Sequence, residues 1–387
     1  MSVETYIYTG DEPLNREPPL EQLIAHFITE KDGFDRNHSS IPVINEDAHS
    51  LQVDGLVQNL LSLTVSSLAT EFPQHTVICA LQCAGNRRHT MRTQLKEVQG
   101  IDWFDGAVMN CIWTGPRLRD VLLRAGLKIR EGKVQTEGEE QGHVLFACHQ
   151  QPTEDDSYYG GSIPLARAMR VDADVIIALK MNGKPIPPAH GAPIRIIAPG
   201  IAGARSVKWL DKITVSETES PNFYQQRDYK ILPPTVTDGE KAKEWWDKVP
   251  AIQDMPVNSV VAIPANDSTV ELGEDGCIEV RGYALPSGDH GPVDKVELSG
   301  DEGASWVEAE ILSAHGEPRL LEIPKDVGLK WAWSLWRGRV KAEKGKGKRV
   351  LSRATDKGGN MQVECPEWNL RGVAYNGYGE ARNLEVV

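Results

Sequence analysis

One cysteine, Cys83, sits where a reactive or metal-binding thiol would be useful, since residues 80–89 read Ala-Leu-Gln-Cys-Ala-Gly-Asn-Arg-Arg-His. The β-branched run before it, residues 76–79, predicts a buried strand. Gly85 and Asn86 then end the strand in a tight turn, because both tolerate positive φ. A thiol at the strand end would have Arg87 and Arg88 close by, and adjacent guanidinium groups favour the thiolate that ligates metals. A cysteine without such neighbours is more often a small buried hydrophobe, which is the reading for the other five. Zinc held by Cys79, Cys83 and His89 is a weaker alternative, because no second ligand pair follows at zinc-site spacing.

Other stretches concentrate groups that bind anions. Phe34-Asp35-Arg36-Asn37-His38 is a polar loop carrying an arginine and a histidine. Residues 182–195 are turn chemistry followed by a strand, with His190 and Arg195 near the end. Residues 199–210 form a glycine-rich run containing Arg205, Ser206, Val207 and Lys208. Plain turn geometry would explain its glycines, but the embedded arginine and lysine favour an anion held by backbone N–H groups and an ammonium.

The elements that must position these groups read as follows. Residues 18–28 predict a short amphipathic helix opened by prolines. Residues 114–126 predict a helix capped by Thr114, opened by Pro116 and ended by Gly126, with Leu118, Val121, Leu122 and Ala125 as its buried stripe. Residues 143–148 and 175–179 predict strands, and residues 159–169 a capped helix. Residues 231–256, with Pro233-Pro234 and Trp245-Trp246, read as a linker crossing a domain interface. From about Met255 short β-rich runs recur, near 257–263, 277–283, 293–299, 306–311, 331–336 and 350–354, separated by turn residues. That spacing predicts an immunoglobulin-like β-sandwich, with the lysine- and glycine-rich residues 341–349 as a solvated hairpin tip.

Leu81-Gln82-Cys83-Ala84-Gly85-Asn86-Arg87-Arg88 closely resembles the molybdenum-ligand motif of the sulfite oxidase family, which includes eukaryotic assimilatory nitrate reductases. The similarity runs from about Phe34 to about Val373. It implies an α+β fold: a sulfite-oxidase-type molybdopterin-binding domain over residues 1–250, then an immunoglobulin-like dimerisation domain over residues 251–387. It further implies that a molybdopterin dithiolene and Cys83 hold molybdenum, a metal suited to soft sulfur ligands.

On the same resemblance, Phe34, Asp35, Arg36, Asn37 and His38 contact the pterin, as do His190 and Arg195. Ser206, Val207 and Lys208 approach its phosphate. Gln150 takes the place of a cofactor-binding Asp common in relatives, and Ala189 replaces another Asp. Arg36, Arg88 and Arg371 would bind sulfite in fork-like hydrogen bonds, Trp103 would wall its pocket, and Tyr229 would move a proton. Arg371 belongs to Trp368-Asn369-Leu370-Arg371-Gly372, a motif whose arginine reaches back to the substrate. The activity implied is oxo transfer to sulfite, giving sulfate. Nitrate reductases typically carry Met and Asn where this chain has Arg371 and Tyr229, so sulfite is favoured. A metal-free anion-binding relative is a third reading, opposed by Cys83, Arg88 and Lys208.

The chain has 387 residues, which favours two domains, and 40% hydrophobic with 25% charged residues describes an ordinary soluble protein. A net charge of −13 disfavours nucleic acid or an anionic membrane as partner. The cavity must therefore supply its own local positive charge, because distant charges are screened beyond about 8 Å. No apolar run reaches membrane-spanning length, Met1 to Thr5 resemble no leader, and six cysteines without a paired framework suit a reducing compartment. Cytoplasmic location is the expectation. No haem or flavin segment is evident, so electrons would pass to oxygen or a soluble carrier such as a cytochrome, as in stand-alone forms.

Overall fold

The computed structural model describes residues 6–9, 12–31, 33–127, 142–316 and 321–387; Met1 to Thr5, read above for a leader, lie outside them. The chain is α+β, with short helices set around sheets that number six among the described residues. Gln74–Gln82 pairs with Val108–Pro116 over its full length, in a four-stranded sheet that delivers Cys83 from its end. A five-stranded sheet runs Leu61–Thr64, Ser50–Gly55, Lys212–Ser216, His143–Cys148, Tyr159–Pro164. Lys212–Ser216 is parallel to Ser50–Gly55 and antiparallel to His143–Cys148.

Strand pairing overrides two helix expectations, and a third helix is shorter than expected. Trp113, Thr114 and Gly115 sit in the strand Val108–Pro116, where Thr114 lies opposite Thr76 and shares a 3.0 Å hydroxyl contact with it. The helix is Leu118–Arg124, without a side-chain cap, but its stripe of Leu118, Val121, Leu122 and Ala125 is buried as expected. Tyr159–Pro164 is likewise a strand, paired along His143–Cys148, and only Leu165–Met169 is helical. Within 18–28 the helix is confined to Leu20–Leu23.

Beyond residue 257 the strands form two sheets. One is Asn258–Ile263, Cys277–Leu285, Ser334–Lys341, Glu310–Ile311; the other is Thr269–Val270, Gly379–Val386, Gly345–Asp356, Val293–Ser299, Val307–Glu308. Ile278, Val280, Val296, Leu298, Trp336, Val340, Ala354 and Leu384 fill the space between, as a sandwich requires. The final strand, Gly379–Val386, escaped the sequence reading because Glu, Arg and Asn interrupt its apolar alternation.

The halves interlock. Residues 231–256 are more than a linker: Asp238 caps the helix Gly239–Lys243 through the Lys241 N–H at 2.9 Å. Leu232, Val236, Trp245 and Trp246 there pack with Leu370 and Trp368. Leu23 and Val108 share a core with Tyr283 and Trp333, and Trp331 bridges to the strand of Cys79.

Candidate active site

The loop after Gln74–Gln82 is pinned at both ends. Cys83 N–H donates to the Ala107 carbonyl at 2.9 Å, and the Arg87 and His89 N–H groups donate to Phe104 and Trp103 at 2.7 and 2.9 Å. Positive φ falls on Arg87 (φ 68), not on Gly85 or Asn86. Asn86 serves instead as a brace, donating to the Tyr283 hydroxyl at 3.0 Å and accepting from Ala107 N–H at 3.1 Å. Gly85 gives room to a neighbour. A Cβ on Gly85, Gly100 or Gly372 would come within 2.5, 2.8 and 2.7 Å of the Arg88 side chain, so three glycines form its slot.

Arg87 and Arg88 therefore part company. Arg87 turns into the sandwich, where it donates to Asn258 at 2.8 Å and to the Gly377 and Tyr378 carbonyls at 2.6 and 2.7 Å. Arg88 stays beside Cys83, anchored to the Arg371 and Ile101 carbonyls at 2.9 and 2.7 Å. Its charge pulls the Cys83 thiol down, but burial is the larger effect and leaves that thiol raised. The expectation of a free thiolate is thus reversed by desolvation, and a bound metal would have to draw the proton off. Burial also lowers Arg88 to about 10.

A cleft of about 750 Å³, counting its mouth, opens at Cys83 and is lined by Phe34, Arg36, Asn37, His38, Tyr159, His190, Arg195, Ser206, Lys208 and Tyr229, among others. No carboxylate lines it. Burial, with Arg195 and Arg36 nearby, pushes Lys208 down to about 7. Burial likewise lowers His190 to about 4 and Arg195 to about 10. Arg36 keeps its charge: Tyr229, Cys83, Asp228 and Glu154 outweigh burial and raise it. Lys208 donates to the Arg36 and Ala189 carbonyls at 3.1 and 3.0 Å and to Asn37. Asp35, Asp228 and Glu154 lie near these cations, but the wall the cations share presents positive groups and no carboxylate, which suits a polyanion.

The remaining candidates lie around this cleft. Asp35 is buried and not among the lining residues, paired with Arg16 at 2.6 Å and 3.6 Å from His190 Nδ1. The Val207 side chain turns into the apolar core. Trp103 is fully buried edge-on to Phe34, in the apolar cluster that holds Cys83, rather than on the cleft wall. Gln150 does not join the site; it is exposed and donates to Asp211 at 3.0 Å, because His149 and Gln150 are both drawn to that carboxylate. Arg371 pairs with Asp228, next to Tyr229, and its buried Nε has no partner. His89 pairs with Asp102 at 2.9 Å, and among the described residues no three His, Cys, Asp or Glu groups cluster as a metal site.

Four contributors went unassigned in the sequence. Tyr159 lines the cleft, and Arg205, fully buried, lies 5.7 Å from the Tyr229 ring. Asp228 holds Arg371. Glu154 reaches His38 Nδ1 at 3.3 Å, and His38 Nε2 meets the Tyr229 hydroxyl at 2.8 Å. Arg205 stands inside the glycine-rich run already singled out, and Asp228 directly precedes Tyr229; Glu154 carries no local signal.

The donor set suits a phosphorylated pterin with a sulfur-ligated metal. One soft thiol and several cations line the cleft, no carboxylate is among its lining residues, and the buried Nε of Arg371 lacks an acceptor. Comparison with known proteins agrees. Residues 38–224 match the oxidoreductase molybdopterin binding domain, and residues 249–382 the Mo-co oxidoreductase dimerisation domain. The chain is 39% identical over 380 residues to the mitochondrial sulfite oxidase of Rattus norvegicus, covering 95% of this chain but only 64% of the rat protein's length. It is 35% identical to the sulfite oxidase of Arabidopsis thaliana, covering 94% of this chain and 89% of that protein. The sulfane dehydrogenase SoxCD of Paracoccus pantotrophus shares the fold, with a TM-score of 0.72 at 23% identity, over 100% of this chain and 90% of that one.

Proposed function

We propose that this chain, which belongs to the sulfite oxidase family, oxidises sulfite to sulfate at a molybdenum–molybdopterin centre held by Cys83. The observation that carries the reading is a cleft lined by cations and one buried thiol, with no carboxylate among its lining residues. When bound, the group supplies the oxygen and takes up two electrons.

The protein's own part is binding, orientation and proton handling. Lys208, with the Ser206 backbone near it, would hold the phosphate end, and Arg195 and His190 the pterin. Asn37 and His38, with Phe34 and Tyr159 as apolar walls, complete the seat. Arg36 and Tyr229 line the cleft with Cys83; Arg88 and Arg371 are not among the lining residues, and the Arg88 Nε–H donates to the Arg371 carbonyl. Their guanidinium groups would bind the oxyanion as charge-assisted donors. Trp103 supports Phe34 from the core. Burial raises Tyr229 well above its ordinary value, so it stays a neutral phenol. It is able to donate a hydrogen bond in the cleft, and to relay a proton only if it takes one up as it gives one away. Overall, sulfite and water give sulfate, two protons and two electrons, and the electrons leave to the acceptor.

Arg371 and Tyr229 favour sulfite over nitrate. We also infer a homodimer paired through the sandwich, a cytoplasmic setting consistent with six unpaired cysteines, and oxygen or a soluble cytochrome as acceptor. Among the described residues no helix is long and apolar enough to cross a membrane. Loaded full-length protein should turn over sulfite and not nitrate, and comparing oxygen uptake with and without cytochrome c identifies the acceptor. Nitrate reduction without sulfite oxidation would reverse the assignment.

A further inference from the structure

Nδ1 of His38 is contested. Arg36 Nη2 lies 3.0 Å from it and Glu154 Oε2 lies 3.3 Å from it. Arginine is only a donor, and an ionised glutamate is only an acceptor. The first requires Nδ1 bare; the second requires Nδ1–H. The other ring nitrogen, Nε2, stands 2.8 Å from the Tyr229 hydroxyl. Loop geometry keeps the rival in place, because the Glu154 N–H also donates to the His38 carbonyl at 3.0 Å.

We propose that Glu154 is a positioning residue for Tyr229: by competing with Arg36 for His38 Nδ1 it sets the imidazole tautomer, and so the direction of the Tyr229 hydroxyl hydrogen. With Arg36 on a bare Nδ1, the ring carries its hydrogen at Nε2 and donates to the Tyr229 oxygen. The phenol hydrogen is then free to face the cleft. With ionised Glu154 on Nδ1–H, Nε2 is the acceptor and draws the phenol hydrogen out of the cleft.

The surroundings make tautomer, not charge, the variable. Burial and the charges of Arg36, Lys208 and Arg371 hold His38 well below its ordinary pKa, so the ring is neutral and has one hydrogen to place. Tyr159 and Tyr224 pack on it with ring centroids 5.5 and 4.0 Å away. Asp228 is engaged by Arg371, and Asp155 lies 3.5 Å from the Tyr224 hydroxyl. Glu154, half-exposed, is therefore the acidic group left to vary with pH at Nδ1, and burial raises its carboxyl above the ordinary glutamate value.

The test is long-range proton–nitrogen NMR on the full chain with 15N-histidine, in metal-free and loaded protein, with the His38 signals identified by their loss in His38→Gln. As Glu154 ionises, wild-type protein should move from the Nε2–H toward the Nδ1–H pattern. Glu154→Ala should hold the Nε2–H pattern at every pH. A tautomer identical in the two proteins, or shifting identically with pH, overturns the proposal. The catalytic consequence rests on sulfite oxidation being the reaction: in loaded Glu154→Ala the pH dependence of kcat/KM that tracks Glu154 should disappear. Absence of sulfite turnover in the wild type would contradict that function and leave the NMR result standing.

Discussion

In the sandwich, buried charge is answered by the chain itself. Asp356, 1% exposed, accepts from the N–H groups of Ser287, Gly358 and Asn360 and from the Asn360 amide, all at 2.9 to 3.0 Å. Arg87 enters the same region and meets an amide oxygen, two carbonyls, Asp105 at 3.3 Å and the Tyr375 ring at 4.6 Å. Around the cleft the cations also use neutral acceptors, but they do so at the edge of an open space. Lys208 uses the Arg36 and Ala189 carbonyls, and Arg195 the His190 and Ser206 carbonyls. Arg36, Arg195 and Lys208 face one space without a carboxylate, and Arg371 keeps a buried Nε without an acceptor. Burying charge on mostly neutral acceptors is costly, as the lowered pKa values of Lys208 and Arg195 show, and a bound anion would offset that cost. The sandwich spends its polar groups on stability, and the cleft holds them ready for an anion.

Adjacent arginines break or sharpen this contrast first. Arg87→Ala should destabilise the fold by about 3–5 kcal/mol, because several buried acceptors lose their donor together. Arg88→Ala should leave the melting temperature far less changed while removing most turnover. Thermal melts and sulfite kinetics on the two variants decide it, and equal effects on both readouts would erase the distinction.

Arg371 tests whether residues from the sandwich half complete the pocket. Loss of one charge-assisted hydrogen bond costs about 1.5–3 kcal/mol, so Arg371→Met should lower kcat/KM for sulfite about 10- to 200-fold, chiefly through KM. Unchanged kinetics would place this arginine outside the pocket and leave Tyr229 alone to separate sulfite from nitrate.

Lys208 gives a smaller effect with a definite sign. Its folded pKa is lowered to about 7, so below that pH the ammonium is charged and above it neutral. The unfolded chain holds this proton up to lysine's ordinary value. Metal-free protein therefore gains stability as pH rises through that window and loses it as pH falls toward 7. Anion binding has the opposite preference, because it needs the charged form. His190, at about 4, stays neutral throughout. Sulfate binding to metal-free protein, followed by calorimetry, should weaken about tenfold between about pH 6 and pH 8 as the competent fraction falls. In Lys208→Met that dependence should vanish.

How far the sequence reached follows the same divide between local and distant causes. The cysteine loop, the Arg-Asn-His run and the glycine-rich turn were legible because their chemistry is contiguous. Most sandwich strands were legible because alternation and turn residues are local. Tyr159–Pro164 was not, since its glycines read as helix punctuation until His143–Cys148 supplies a partner strand. Nor could sequence separate Arg87 from Arg88, because the partners of Arg87 lie as far on as Tyr378. Glu154 meets His38 across 116 residues. Gln150 was placed by alignment to an absent aspartate, and the nearby Asp211 claimed it instead.

The central claim is that the thiol of Cys83 holds the metal that does the chemistry. Metal content and sulfite turnover measured together on wild type and Cys83→Ser test it most directly. The account expects about one molybdenum per chain in the wild type, and a folded variant whose sulfite oxidation is lost because the soft ligand is gone. Sulfite oxidation undiminished in Cys83→Ser would contradict it.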